Sequence, residues 1–325
     1  MFRSFPRLPF HPLVFKRNAS YRRFGSQPTV SFTRLFQSRY TLYFAGSCIA
    51  FYLYNLDEAP FTKRRRLLWV PYWLERKVGD YSYAQIMAQY KNQISPSGDP
   101  NYLLISRVMN RLLASAVDNT PDPQQAAHVR SLDWSIHIIR PHGAEEPPNA
   151  FILPNGKIFI FSSILPICHD EDGLATVLSH ELAHQLAHHS SEQLSKQPIY
   201  LALSTLLYMA TGISWFNDLL IAGLLQMPAS REMESEADRI GCELMAHSCF
   251  DVTRAVDFWA RMGAWEQKSQ KATPMLEFLS THPNTQKRMA DIRSWMPALE
   301  QIRESSDCYH WKSFSDFHRN FFGKR

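Results

Sequence analysis

Two histidines and a glutamate in the middle of the chain have the spacing of a catalytic metal site. His180 and His184 are four positions apart within residues 172–193, a stretch whose apolar positions predict a helix. Residues i and i+4 lie on one face of a helix, so both imidazoles can point at one zinc ion. Glu181 follows the first histidine, and its carboxylate can take a proton from the attacking water. The pattern predicts a zinc-dependent hydrolase.

The residues after this pair exclude one class of metallopeptidase and a ligand role for two further histidines. A metzincin requires a glycine and a histidine after the HExxH pattern, and this chain has Ala187 and Ser190 at those positions. That class of metallopeptidase is therefore excluded. Three histidines at successive helical turns would span about 12 Å, which is too far for one tetrahedral ion. We expect His188 and His189 to be polar positions at a solvated helix end.

The third ligand is expected from an acidic helix at residues 231–241. Glu234 and Asp238 are four positions apart and share one face of that helix. Glu234 can therefore coordinate the ion, while Asp238 hydrogen-bonds the far nitrogen of a ligand imidazole. Glu232 and Glu236 fall on other faces and are expected to be solvated. Without the upstream histidines, an ordinary acidic surface helix would be the better interpretation.

Several stretches together resemble peptidase family M48, a family of zinc metallopeptidases. The resemblance covers roughly residues 75–295 and is carried by SHELAH, EMESEADRIG and FLSTHPNTQKRMADI, preceded by NAFILPNGKIFIFSSIL. It implies one Zn²⁺ per chain. It also implies a substrate-binding strand at Asn149, Ala150 and Phe151, whose edge would pair with an extended peptide backbone. By the same resemblance His282 has a catalytic role near the metal, as a ligand, a gate or an oxyanion stabiliser. The alternative for His282 is a polar residue at a helix start.

The elements that must position these residues are mostly helices. Three short strands are expected from alternating or compact apolar runs, with a turn at Pro154-Asn155-Gly156 between the last two. Helical patterns precede them, and helices resume near residue 172. We predict an α+β fold that is mostly helical. The resemblance makes it a gluzincin-type metallopeptidase domain with a small edge-strand sheet beside the HExxH helix. The strands are expected near residues 134–138, 151–153 and 157–161.

The first 39 residues differ in composition from the rest. They contain seven Arg, one Lys and no acidic residue, while the remaining residues carry 27 basic and 30 acidic side chains. Because the basic excess is confined to this segment, the folded part is not expected to bind nucleic acid. Arg, Ser and Phe without acids are typical of a mitochondrial transit peptide, which is removed by proteolysis. The alternative is a basic arm for acidic partners.

Membrane contact is expected at two places. Residues 40–56 carry no charge and are predicted to form a membrane anchor helix, with a buried core helix as the alternative. A basic linker at 57–74 leads to the peptidase domain at 75–300, and an aromatic-rich tail follows at 301–325. The apolar stretch 199–227 lies between the two halves of the metal site. A single crossing would separate those halves, so membrane-associated or core helices are favoured there over a span.

The anchor, the transit peptide and the catalytic block together resemble the M48 members that act as stress peptidases of the mitochondrial inner membrane. The resemblance implies an ATP-independent zinc metalloendopeptidase that cleaves proteins in or at that membrane in quality control. It also places the catalytic domain in the intermembrane space. No Walker A loop is present in the sequence. An M48 peptidase of another membrane, of the type that processes prenylated proteins, and an inactive scaffold stay open as alternatives. Assembly into a homo-oligomer is also left open.

Overall fold

The computed structural model describes residues 39–59, 62–96, 98–120, 122–140, 147–214, 221–222, 226–269 and 285–306. The chain divides into two compact units, Met1–Leu53 and Tyr54–Arg325. Most of the first unit lies outside the described residues, including all but the last residue of the predicted transit peptide. Helix α1, Arg39–Tyr54, has no buried residue. It corresponds to the segment predicted as an anchor. Within the described ranges, no helix combines the length and the apolar character that crossing a bilayer requires.

The second unit begins with a short hairpin of strands β1, Leu56–Glu58, and β2, Arg65–Leu67, which pair antiparallel. Helices α2, Tyr72–Gln89, and α3, Pro100–Asp118, follow. The sequence pattern predicts helix from about residue 81 to 113, and the structure interrupts it where Pro96, Gly98 and Pro100 occur. The Asp99 side chain accepts a hydrogen bond of 2.9 Å from the Asn101 amide, and proline follows at the first helical position. This capping starts α3 as a separate helix.

A three-stranded sheet follows the first helices along the chain. Strand β3 is Ser135–Ile139, β4 is Ala150–Ile152 and β5 is Lys157–Phe161; helix α4, Pro123–Ser131, precedes them. The spatial order is β3-β5-β4, with β3 parallel and β4 antiparallel to the central β5. Gly156 has a φ of 86° in the turn that joins β4 to β5, a conformation that glycine adopts without strain. The predicted hairpin and the predicted three strands are confirmed.

The remaining elements are helical and surround one buried helix. A 3₁₀ turn at Ser162–Ile164 leads to the short α5, Leu165–Cys168, and then to α6, Glu171–Leu186, which carries the HExxH pattern. Between its first turn and its end, α6 is buried on nearly every face. It packs against α3, β4 and three later helices. The three are α7, His189–Thr211; α8, Met227–His247; and α9, Thr253–Ser269; a last helix, α10, Thr285–Ser305, packs against α8 and α9. The mostly helical α+β prediction is confirmed.

Helix α7 enters the apolar stretch 199–227 and leaves the core. Its buried residues all lie at or before Ser195. Beyond that point its apolar side chains are exposed, with Leu201 at 70%, Leu206 at 57% and Met209 at 69%. Such a run of exposed apolar side chains is unusual for a surface that faces water alone.

Candidate active site

The two halves of the predicted metal site lie on α6 and α8, which pack closely together. Gly241 on α8 faces the backbone of α6, and a Cβ there would lie 3.1 Å from the His180 amide nitrogen. A larger residue would push the helices apart. Asp170 begins α6 by accepting a 2.8 Å hydrogen bond from the Gly173 amide. The close crossing of these two helices brings Glu234 to the histidine face of α6.

The structure brings His180, His184 and Glu234 together. The two Nε2 atoms are 3.1 Å apart. The carboxylate oxygens of Glu234 lie 3.3 Å from Nε2 of His180 and 3.4 Å from Nε2 of His184. Zinc bound tetrahedrally to such atoms imposes separations of about 3.3 Å between its ligands. The spacing and the chemistry of these three donors therefore fit a single zinc ion.

Asp238 lies behind His180, one helical turn after Glu234. Its Oδ1 is 3.1 Å from Nδ1 of His180, as expected for a carboxylate that orients a ligand ring. Arg288 of α10 donates to both oxygens of Asp238 at 2.6 and 2.7 Å, and its Nη1 lies 3.4 Å from Glu234. The guanidinium lies 3.5 Å over the ring of Trp259. Arg288 thus fixes Asp238 and supplies positive charge beside the cluster.

Arg288 was not among the residues predicted to form the site, although it lies in the stretch that carries the family resemblance. Its position on the helix does indicate that it has a buried partner. It lies four residues before Ile292 on the buried face of α10, and both side chains are almost completely buried. A charged residue on the apolar face of a helix indicates a buried partner of opposite charge. Which partner it meets depends on how α10 packs against α8.

The electrostatics of this group are strongly coupled. Burial and the neighbouring Arg288 lower the pKa of His180, but hydrogen bonds to Asp238 and Glu234 outweigh them and raise it to about 9. Burial raises the pKa of Asp238, and the charge of Arg288 with the contact to His180 brings it below its usual range. Asp238 is therefore ionised at neutral pH and can hold the His180 ring by its Nδ1–H.

The catalytic base expected from the sequence lies at the same place. Glu181 is 5% exposed and directly follows His180 on α6. Its negative charge, together with those of Asp238 and Glu234, raises the pKa of Arg288 against the lowering effect of burial. His282, the other predicted catalytic residue, lies outside the described residues.

The predicted substrate strand lies at an edge of the sheet and packs beside α6. On one side Ala150 pairs with Ile160 and Phe151 with Phe159, while the Asn149 carbonyl accepts a 2.9 Å hydrogen bond from the Phe161 amide. Among the described strands, β5 is the only neighbour of β4. The predicted small edge-strand sheet beside the HExxH helix is therefore present.

Two predictions about polar side chains were wrong. His188 and His189 were expected to be solvated, yet they are only 3% and 2% exposed. Glu236, also expected to be solvated, is 4% exposed, whereas Glu232 is exposed as expected. His188 lies in the left-handed region with φ of 52°, so α6 ends before it and α7 starts a new direction at His189. The prediction extended one continuous helix across this break.

Tertiary contacts stabilise the end of α6. The Gln125 side chain donates a 2.5 Å hydrogen bond to the Leu186 carbonyl, and the buried Arg66 guanidinium donates to the Ala187 carbonyl. These donors satisfy carbonyls that have no partner within the helix. His188 then stacks on Tyr72 of α2 at 4.4 Å. Because the donors come from other parts of the chain, the local sequence carries no signal for where the helix ends.

Comparison with known proteins shows the family. Residues 110–296 match the model of "Peptidase family M48". The chain is 39% identical to the mitochondrial metalloendopeptidase OMA1 of Saccharomyces cerevisiae, over 93% of this chain and 88% of that protein. It is 38% identical to the protein of the same name from Schizosaccharomyces pombe, over 92% and 84% of the two chains. A zebrafish relative, metalloendopeptidase OMA1, mitochondrial, is 31% identical over 79% of this chain and 54% of its own length.

These matches confirm the resemblance and the gluzincin-type fold expected from it. The family match spans the HExxH helix, Glu234 and Arg288. His180, His184 and Glu234 form the only cluster of three metal-binding side chains in the described part of the chain, and they can hold the metal that the family requires. The chain therefore belongs to peptidase family M48, and it is a metalloendopeptidase located in mitochondria.

Proposed function

We propose that this chain is an ATP-independent zinc metalloendopeptidase of the mitochondrial inner membrane, and that it cleaves membrane proteins in quality control or the stress response. The observation that carries the proposal is the cluster of His180, His184 and Glu234, whose donor atoms all lie within 4.8 Å of one another. Two imidazoles and one carboxylate are the ligands of catalytic zinc sites that keep a fourth position for water or substrate. One Zn²⁺ per chain is expected.

The residues around this cluster have separate tasks in peptide hydrolysis. When bound, Zn²⁺ polarises the scissile carbonyl and lowers the pKa of water to about 7. The Glu181 carboxylate accepts a proton from the attacking water and passes it to the amide nitrogen that leaves. Asp238 and Arg288 hold the His180 ring. His282 stabilises the oxyanion in this scheme, by analogy with the family.

Substrate recognition is assigned to the edge of β4. Asn149, Ala150 and Phe151 lie on a strand that pairs with β5 on one side and packs beside α6. An extended peptide can add to such an edge through main-chain hydrogen bonds, which do not depend on the substrate's side chains. This mode suits an enzyme that cleaves unfolded or partly unfolded segments of many proteins.

Contact with the lipid bilayer is assigned to two helices, each in its own unit. The exposed apolar side chains of α1 include Phe44 and Ile49, at 71% and 61%. In the second unit, the part of α7 beyond Ser195 exposes Leu201 and Met209 to a similar degree. Exposed apolar surface of this kind favours burial in an interface or in lipid. The catalytic unit faces the intermembrane space in this proposal.

The test is cleavage of a membrane-tethered reporter by the purified full chain, with and without ATP. Wild type is compared with chelator-treated protein, with Glu181→Gln and with Glu171→Gln, a control on the same helix. Cleavage that is independent of ATP, is lost with chelator and with Glu181→Gln, and persists in Glu171→Gln supports the proposal. Zinc content, measured by mass spectrometry, should stay at one per chain in Glu181→Gln.

Two outcomes would overturn the proposal. Undiminished cleavage with chelator and with Glu181→Gln would refute the zinc mechanism. Bound zinc without cleavage by the wild type would favour an inactive peptidase-fold scaffold.

A further inference from the structure

A chain of contacts leads from the β1–β2 loop to the back of the metal ligand His184. Nδ1 of His184 lies 2.8 Å from Nδ1 of His189, the buried residue that begins α7. Nε2 of His189 lies 3.2 Å from Oε2 of Glu236 on α8. The same Oε2 accepts hydrogen bonds from Arg64 at 2.8 and 2.9 Å, and the Thr62 hydroxyl donates to the other oxygen. Four separate parts of the chain therefore meet behind one ligand.

Arg64 is held firmly at the outer end of this series of contacts. It also makes two hydrogen bonds to Glu192 of α7, at 2.9 and 2.6 Å, so it connects α7 to α8. The side chains of Glu192 and Glu236 are 0% and 3% exposed, and that of Arg64 is 20% exposed. Charge-assisted, paired hydrogen bonds of this kind are both strong and directional. Glu236 is consequently ionised and has only acceptor atoms to offer His189.

Because the Glu236 carboxylate can only accept, it fixes the direction of each hydrogen bond between Glu236 and His184. His189 must donate through Nε2–H to Glu236, so in its neutral form its Nδ1 carries a lone pair. That lone pair can accept only if His184 donates through its own Nδ1–H. His184 then has an unprotonated Nε2, the atom that lies 3.4 Å from Glu234 inside the ligand cluster. If each histidine instead carried its proton on the other ring nitrogen, the unprotonated Nε2 of His189 would face a carboxylate oxygen of Glu236.

We infer that His189 is a positioning residue for the metal site: it holds His184 in the tautomer and orientation that bind zinc. Glu236 and Arg64 in turn hold His189 in place. This rests on the proposed function, since it concerns the same metal. The two histidine ligands are then oriented by different parts of the fold. Asp238 and Arg288 orient His180, whereas His184 depends on α7 and on the loop before β2. Outer contacts of this type commonly change metal affinity by roughly 10- to 100-fold when they are removed.

The first test measures the zinc dissociation constant of the full chain by competition with a chromogenic chelator. His189→Leu removes the acceptor for His184 and should weaken zinc binding by roughly 10- to 100-fold. His189→Asn keeps an acceptor near the position of Nδ1 and should recover part of that loss. His188→Asn is the matched control, because it removes the adjacent buried histidine, which contacts Tyr72 and Glu75. Asparagine tolerates the left-handed conformation at that position.

A purely structural role would give a different pattern. In that case His189→Leu and His188→Asn would lower the melting temperature of the zinc-free protein but leave zinc affinity unchanged, and the inference would be wrong. Equal loss of affinity in His189→Leu and His189→Asn would also refute the role of the acceptor.

A second test does not depend on any variant folding. In chelator-treated wild type labelled with ¹⁵N-histidine, long-range proton–nitrogen spectra should show His184 protonated at Nδ1 and His189 at Nε2. The reverse tautomers would overturn the inference.

These outcomes are separable from those of the proposed function. A wild type that neither binds zinc nor cleaves the reporter would refute that function itself. A wild type that does both, with His189→Leu binding zinc equally well, would refute only the positioning role.

Discussion

Replacing Arg288 by methionine should destabilise the catalytic unit strongly, even without metal. The Arg288 and Asp238 side chains are 4% and 3% exposed and are joined by hydrogen bonds of 2.6 and 2.7 Å. Methionine fills a similar volume, but it leaves the carboxylate of Asp238 buried without its cation. Removing one partner of a buried ion pair costs about 3–5 kcal/mol. The contact of the guanidinium with Trp259 adds to this loss.

The loss should be visible in both chemical and thermal unfolding. For a domain of this size, about 2–4 °C of melting temperature is lost for each kcal/mol, so a decrease on the order of 10 °C is expected. The assay is urea unfolding with chelator present, so that metal binding does not contribute to the free energy. Arg293→Met is the control, because Arg293 is an exposed arginine on the same helix.

A double-mutant cycle with Asp238→Asn isolates the pair. If the carboxylate left behind causes the loss, Arg288→Met should cost much less in the Asp238→Asn background, and the two changes should not add. A loss below about 1 kcal/mol for Arg288→Met would refute the reasoning, because that is the range of an ordinary substitution. Strict additivity with Asp238→Asn would also refute it.

Three further predictions address the fold, its pH dependence and its membrane contact. Gly173→Ala would place a Cβ 1.9 Å from a backbone carbonyl oxygen of α5, so it should lower the free energy of unfolding by about 1–3 kcal/mol or more. Gly98→Ala is the control, because a Cβ there meets nothing within 4 Å. Equal urea midpoints for the two variants would contradict this prediction. Burial lowers the pKa of His137 to about 4. Because the unfolded chain takes up that proton near pH 6.5, the free energy of unfolding should fall as the pH drops from about 6.5 towards 4. His137→Gln should lack this part of the slope in urea titrations, and identical slopes would contradict the assignment. A photoreactive phenylalanine analogue at Leu201 should crosslink to lipid in reconstituted vesicles, while the same group at the exposed Glu304 should not; equal yields would argue against an interfacial α7.

The sequence alone determined the features that depend on local geometry. The i and i+4 spacing of His180 and His184, and of Glu234 and Asp238, places each pair on one helix face wherever the helices lie. The turn at Gly156 and the short apolar runs around it similarly predict the β4–β5 hairpin. Nothing beyond a single helix or hairpin is needed for these inferences, so they could be made without the structure. The resemblance to family M48 then joined these local features into one site.

Only the tertiary structure decided which other side chains surround the predicted metal ligands. Arg288 meets His180 across 108 positions of sequence, and Arg64 meets Glu236 across 172. His189 was expected in water because the helical period was extended past the point where α6 ends. That end is set by donors from elsewhere in the chain, including Arg66. Burial and charge pairing arise when helices pack against one another, and periodicity within one helix does not encode which partner another helix brings.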